Sequence, residues 1–107
     1  KLFKRYKNSE DFIQKYIFPG GFLPSANQIK QIIKDNELNL EKINSYSSDY
    51  AKTLSIWRNN FLGTWDNISP LGFDDYFKRM WEFYLCYCEA GFKAKNIDLI
   101  QFSMSNR

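Results

Sequence analysis

The stretch FDDYFKRMWEFYLCYCEAGF, residues 73–92, holds both cysteines and a dense set of aromatic residues. At helical spacing, Phe73, Phe77, Met80, Tyr84, Cys88 and Phe92 form one continuous apolar stripe. Tyr76, Phe83 and Tyr87 add a second. Asp74, Asp75, Lys78, Arg79, Glu82 and Glu89 are left as the solvent residues, with the two aspartates in the first turn, where the helix dipole favours acids. A helix that is apolar on more than one side needs covering on more than one side. The plain reading is a central core helix.

Outward from it, the chain reads as helix, helix, strand, helix, helix, strand. Ser9, Glu10 and Asp11 mark a first helix start, and Phe12, Ile13, Tyr16 and Ile17 give it an apolar face that Pro19-Gly20-Gly21 stops. Ser25 to Gln28 has the spacing of a capping box, followed by Ile29, Ile32 and Ile33 on one face. That helix ends at Asp35-Asn36. Residues 38–46 alternate enough to predict a strand. Ser48 or Asp49 caps the next helix, whose buried stripe is Tyr50, Leu54, Trp57 and Phe61. Gly63 to Gly72 reads as a loop. Residues 97–104 predict a second strand, apolar on both faces and so suited to the inside of a sheet. Two strands cannot make a stable sheet buried on both faces, which implies that the chain is completed by something else.

The 107 residues suit one domain or a part of one. Aromatic residues make up 19%, more rings than so small a core readily hides. A net charge of +3 is too mild to indicate nucleic acid. The cluster Lys1, Lys4, Arg5 and Lys7 suits a solvated end or an anionic membrane surface. Cys86 and Cys88 point roughly 200° apart around a helix and cannot readily pair. Free thiols suit a reducing compartment, so a cytoplasmic setting is expected. The chain has no histidine, which removes Ser-His and Cys-His nucleophile systems and, with only two cysteines, leaves no zinc site. Glycine-rich phosphate cradles are also absent. Spacing and composition alone do not say what the chain does.

Three motifs do. YIFPGGFLPS (residues 16–25), SDYAKTLSIWRNNF (48–61) and FKRMWEFYLCYCEAGFKAKNIDLIQF (77–102) resemble, in order and spacing, the C-terminal part of cyclopropane-fatty-acyl-phospholipid synthases and the related mycolic acid cyclopropane synthases. The resemblance implies an α/β fold: the C-terminal portion of a Rossmann-like S-adenosylmethionine methyltransferase, mostly helical with strands at about 38–46 and 97–104. Residues 1–107 would be a single C-terminal segment of that domain, with the cofactor-binding half absent.

The family moves a methylene from S-adenosylmethionine to a cis double bond of an acyl chain, with bicarbonate as the base. S-adenosylmethionine and bicarbonate are thus expected for the full-length enzyme, and neither for this segment alone. By resemblance, Tyr50 in the D-Y-x-x-T-L pattern is the bicarbonate ligand. Phe18, Leu23, Leu54, Tyr84, Cys88 and Phe92 match positions lining the acyl tunnel, with ordinary core as the competing reading. The implied partners are an unsaturated phospholipid acyl chain, the inner membrane surface in a peripheral association, the N-terminal methyltransferase half and, for exposed rings, a second copy; nucleic acid is not among them. The resemblance thus implies a substrate-tunnel segment that is inactive by itself. The alternative is a stand-alone or self-associating lipid-binding module without catalysis.

Overall fold

The computed structural model describes residues 11–19, 21 and 23–107. The expected helix start at Ser9 and Glu10, the basic cluster from Lys1 to Lys7, Gly20 and Phe22 lie outside the described residues. The chain divides into two compact units, Lys1–Asn44 with Ile100–Arg107, and Ser45–Leu99.

In the first unit, Asp11 and Gln14 cap each other. The Gln14 N–H donates to Asp11 Oδ1 and the Asp11 N–H to Gln14 Oε1, both at 2.9 Å. The turn that follows, Ile13–Ile17, is π-helical, and the Phe18 N–H closes it on the Ile13 carbonyl at 2.8 Å. Gln14 Nε2 also donates to the Gly21 carbonyl at 2.9 Å, which ties the glycine turn back to the helix.

The capping box forms as its spacing predicts: Gln28 N–H to Ser25 Oγ at 3.1 Å, and Ser25 N–H to Gln28 Oε1 at 3.2 Å. It starts α1 (Ala26–Asp35). Ile33 is the buried residue of this helix, whereas Ile32 of the expected apolar face is exposed. Asn36 stops the helix by returning both its backbone N–H and its Nδ2 to the Ile32 carbonyl. Glu37 then takes a positive φ of 57° and turns the chain into β1 (Leu38–Ser45).

β1 pairs with β2 (Ile100–Asn106) in a two-stranded antiparallel sheet. Arg107 Nε donates to Asn39 Oδ1 at 3.3 Å, and the Ser105 hydroxyl to Glu41. The second strand begins three residues later than predicted and continues to Asn106. The reason lies upstream. Residues 94–97 close the preceding helix, with Lys95 at φ 60° and the Asn96 and Ile97 N–H groups both directed at the Gly91 carbonyl. Ile97 therefore packs on a helix, not in a sheet.

The second unit is an antiparallel pair of helices, α2 (Ser47–Gly63) and α4 (Asp75–Lys93). Their direction follows from their contacts: Tyr50 meets Phe92 at one end and Phe61 meets Phe77 at the other. Tyr46 precedes α2 without a side-chain cap. Ser48 and Asp49 do not cap it; instead the buried Ser47 hydroxyl donates across to the Phe92 carbonyl at 2.6 Å. The Tyr46 N–H donates to the Leu99 carbonyl at 2.8 Å and Ser45 Oγ to Asp98 at 2.5 Å, joining the two ends of the unit.

The predicted loop from Gly63 to Gly72 is helical: α3 (Trp65–Ile68), then a 3-10 turn at Ser69–Leu71 that Gly72 ends at φ 107°. This places Trp65 within 5.8 Å of Phe61 and stacked on Phe77 at 6.5 Å. Asp74 caps α4 by accepting from the Phe77 N–H at 2.9 Å.

Candidate functional site

The site is built on the facing sides of α2 and α4. Ala51 and Leu54 from α2, with Leu85, Cys88 and Phe92 from α4, form its buried floor. The four-residue steps Tyr84–Cys88–Phe92 and Tyr50–Leu54 put these side chains on one line of each helix.

Tyr50, four residues into α2, is half-buried. Its ring stands edge-on to Phe92 at 4.8 Å and to Trp57 at 5.8 Å, both favourable geometries for aromatic pairs. These contacts hold the ring and leave its orientation little freedom. Trp57 itself is half exposed, so the expected stripe is buried at Leu54 and wet beside it.

Tyr84 lies beside Cys88 and edge-on to Trp81 at 5.2 Å. Burial raises its phenol above the usual tyrosine range, with further contributions from the charge and hydrogen bond of Cys88 and from Tyr50. The phenol is thus held neutral and able to donate.

Five of the seven residues singled out in the sequence, Tyr50, Leu54, Tyr84, Cys88 and Phe92, belong to this helix pair. Phe18 and Leu23 belong to the other unit, where both are more than half exposed.

Spacing placed Glu89 with the solvent residues, but it is buried, with only 7% of its surface exposed. Its Oε2 meets Lys93 Nζ at 2.9 Å and its Oε1 meets Arg58 Nη1 at 3.4 Å; Oε1 has no hydrogen-bond partner. Lys93 and Arg58 hold its carboxyl below the usual range, the Lys93 hydrogen bond foremost, against the opposing pull of burial. Arg58 Nη1 also donates to Cys86 Sγ at 2.8 Å, and its guanidinium is held charged more firmly by Cys86 first and Glu89 after it. Arg58 falls one step past Trp57 on α2, and the i, i+4 pair Glu89–Lys93 was the one sign of this cluster in the sequence.

Cys86 and Cys88 lie on different sides of α4 and neither forms a disulfide. Among the described residues no group of acids and cysteines is arranged to hold a metal, and no helix is long and apolar enough to cross a membrane.

This helix pair, with its aromatic and thiol line and an antiparallel strand pair beside it in sequence, is a partial methyltransferase fold. Residues 2–102 match the family described as mycolic acid cyclopropane synthetase, and the chain belongs to that family. It is 42% identical over 99 residues to a tuberculostearic acid methyltransferase of Mycobacterium tuberculosis, covering 92% of this chain and 23% of that one. With a cyclopropane-fatty-acyl-phospholipid synthase of Escherichia coli it shares 38% identity over 98 residues, covering 92% and 25%. Cyclopropane mycolic acid synthase 1 of Mycobacterium tuberculosis is 30% identical over 92 residues, covering 86% and 32%. The chain thus spans about a quarter to a third of the length of these relatives.

Proposed function

We propose that the chain is the C-terminal, substrate-tunnel segment of an S-adenosylmethionine-dependent methyltransferase that modifies a cis double bond of a phospholipid acyl chain. In this reading residues 1–107 are one segment of the methyltransferase domain, and the cofactor is held by residues that this segment does not contain. The observation that carries it is the packed line of Tyr50, Leu54, Tyr84, Cys88 and Phe92, in a chain that matches the family from residue 2 to residue 102.

An alkene is a weak nucleophile, and it reacts with a methyl donor only where water is excluded and the double bond is held in place. Leu54, Cys88 and Phe92 exclude water in that way behind the half-buried Tyr50 and Tyr84; Phe18 and Leu23, in the other unit, are assigned to substrate binding by resemblance alone. An apolar lining favours a hydrocarbon chain over a polar substrate.

When bound, S-adenosylmethionine supplies the methyl group and bicarbonate the base that takes the proton as the ring closes. Tyr50 suits the anion for a reason visible in its surroundings. A phenol donates one hydrogen bond without bringing a positive charge that would cancel the basicity of its acceptor. Its ring is meanwhile fixed edge-on by Phe92 and Trp57, so the hydroxyl direction is set before the anion arrives. The segment alone is inactive in this account, and the longer protein meets its lipid at the membrane surface.

The test is Tyr50→Phe in the full-length protein, assayed by transfer of labelled methyl to unsaturated phospholipid vesicles. Turnover is expected to fall by ~100-fold, as for loss of one preorganised donor, with thermal stability little changed. Parallel losses of turnover and stability would make Tyr50 a core residue only.

A further inference from the structure

Beyond the line assigned to the tunnel, α2 and α4 meet at a second, polar point. Arg58 Nη1 of α2 contacts Cys86 Sγ at 2.8 Å and Glu89 Oε1 at 3.4 Å, both on α4, and Lys93 closes on Glu89 from its own helix. The Glu89 side chain is 10% exposed, and its Oε1 is buried with no hydrogen bond. Burying a carboxylate is costly, and a well-packed apolar residue of similar size holds two helices at least as well. The Arg58–Glu89 pair is therefore poorly explained as a gain in stability over an apolar pair.

Its position suggests another use. Glu89 lies one turn before Phe92, the ring that fixes Tyr50, and Arg58 directly follows Trp57, the other ring on Tyr50. Along α2, Tyr50 and Arg58 are eight residues apart, about 12 Å. These cross-helix contacts, with anchors three and six residues from Phe92 along α4, constrain both the rotation and the axial register of α4 against α2. The directional contact is the 2.8 Å hydrogen bond from Arg58 to Cys86 Sγ, and Glu89 holds the guanidinium in place for it by charge, a use of a buried ion pair that serves geometry more than stability.

We infer that Glu89 is a positioning residue: through Arg58 it sets the α2/α4 register that holds the Tyr50 hydroxyl where the bicarbonate is bound. This rests on the reading of Tyr50 given above.

The experiment uses the full-length protein and four forms: wild type, Glu89→Gln, Tyr50→Phe and the apolar double variant R58M/E89L. Each is measured for melting temperature, for kcat and lipid KM, and for the bicarbonate concentration giving half-maximal activity. Glu89→Gln is expected to raise the bicarbonate requirement several-fold and lower kcat by ~10-fold, with lipid KM within about twofold of wild type. R58M/E89L should recover the melting temperature but not the bicarbonate requirement. A melting temperature that falls in Glu89→Gln while the bicarbonate requirement and kcat stay unchanged would overturn the inference. So would recovery of both in the double variant, because the pair would then be structural only. If Tyr50→Phe shifts the bicarbonate requirement and Glu89→Gln does not, this inference fails alone. If neither shifts it, the assignment of Tyr50 fails as well.

Discussion

The two apolar faces of α4 are built from the same residue types and end in opposite conditions. Tyr84, Cys88 and Phe92 lie against α2, and the last two are buried. Tyr76, Phe83 and Tyr87, on the other face, are 60%, 52% and 40% exposed. Periodicity shows that a helix has two apolar faces. It does not show which one the chain itself can cover. The inner face is covered because α2 runs back along it, pinned by Tyr50 on Phe92 and by Ser47 on the Phe92 carbonyl. The outer face exposes three rings of the kind found at interaction surfaces, in a chain that spans about a quarter of the length of two of its relatives.

The comparison breaks most easily at Leu54, which is 2% exposed. Leu54→Ala is expected to cost roughly 2–5 kcal/mol, read by urea denaturation of the chain. A cost as small as that of an outer-face substitution would mean that the two faces do not differ in packing.

Glu89 comes next. Its carboxyl is held below the ordinary range, so the ionised form is the one the folded state stabilises. The stability it contributes is present in full above the unfolded-state value, and is lost as the pH falls through the lower folded value. Wild type and Glu89→Gln should therefore differ most at neutral pH and converge below the usual carboxylate range. A difference that grows with acid would reverse the assignment.

Gly91 gives a finer test of the inner face. Alanine in place of a helical glycine normally gains up to about 1 kcal/mol. Here a Cβ would meet Ile97 Cδ1 at 3.0 Å and Cγ1 at 3.1 Å. Gly91→Ala is expected to gain nothing in the wild-type background and to recover its usual gain when Ile97 is alanine, as a double-mutant cycle would show. The smallest effect is expected on the outer face, where Phe83→Ala should change the stability of the 107-residue chain by about 1 kcal/mol or less. The same substitution in the full-length protein should cost more if that face is covered there.

Much of this was readable in advance because it is local. The capping box at Ser25 and Gln28 and the helix over 73–92 depend on neighbours within a few residues, and the strand from Leu38 shows in its own alternation although its pairing partner lies over 60 residues away. What was missed depends on distant parts of the chain. Neither Ser48 nor Asp49 caps α2, whose start is held instead by the Ser47 hydroxyl on the Phe92 carbonyl, 45 residues away. The second strand starts late because Ile97 is taken up by Gly91. Trp65 lies in what read as a loop, and forms a helical turn because its ring stacks on Phe77. Within the site, the apolar line followed from spacing and the tyrosine from resemblance. The burial of Glu89 could not be read from α4 alone, where only its i, i+4 pairing with Lys93 is visible, since its other partner Arg58 comes from α2.

The most direct test of the central claim is photolabelling of the full-length protein with an unsaturated phospholipid carrying a diazirine near the double bond, mapped by mass spectrometry. The account predicts label on the inner line of α4, at Tyr84, Cys88 or Phe92, lost when unlabelled phospholipid competes. Competable label on Tyr76, Phe83 or Tyr87, with none on the inner line, would contradict it.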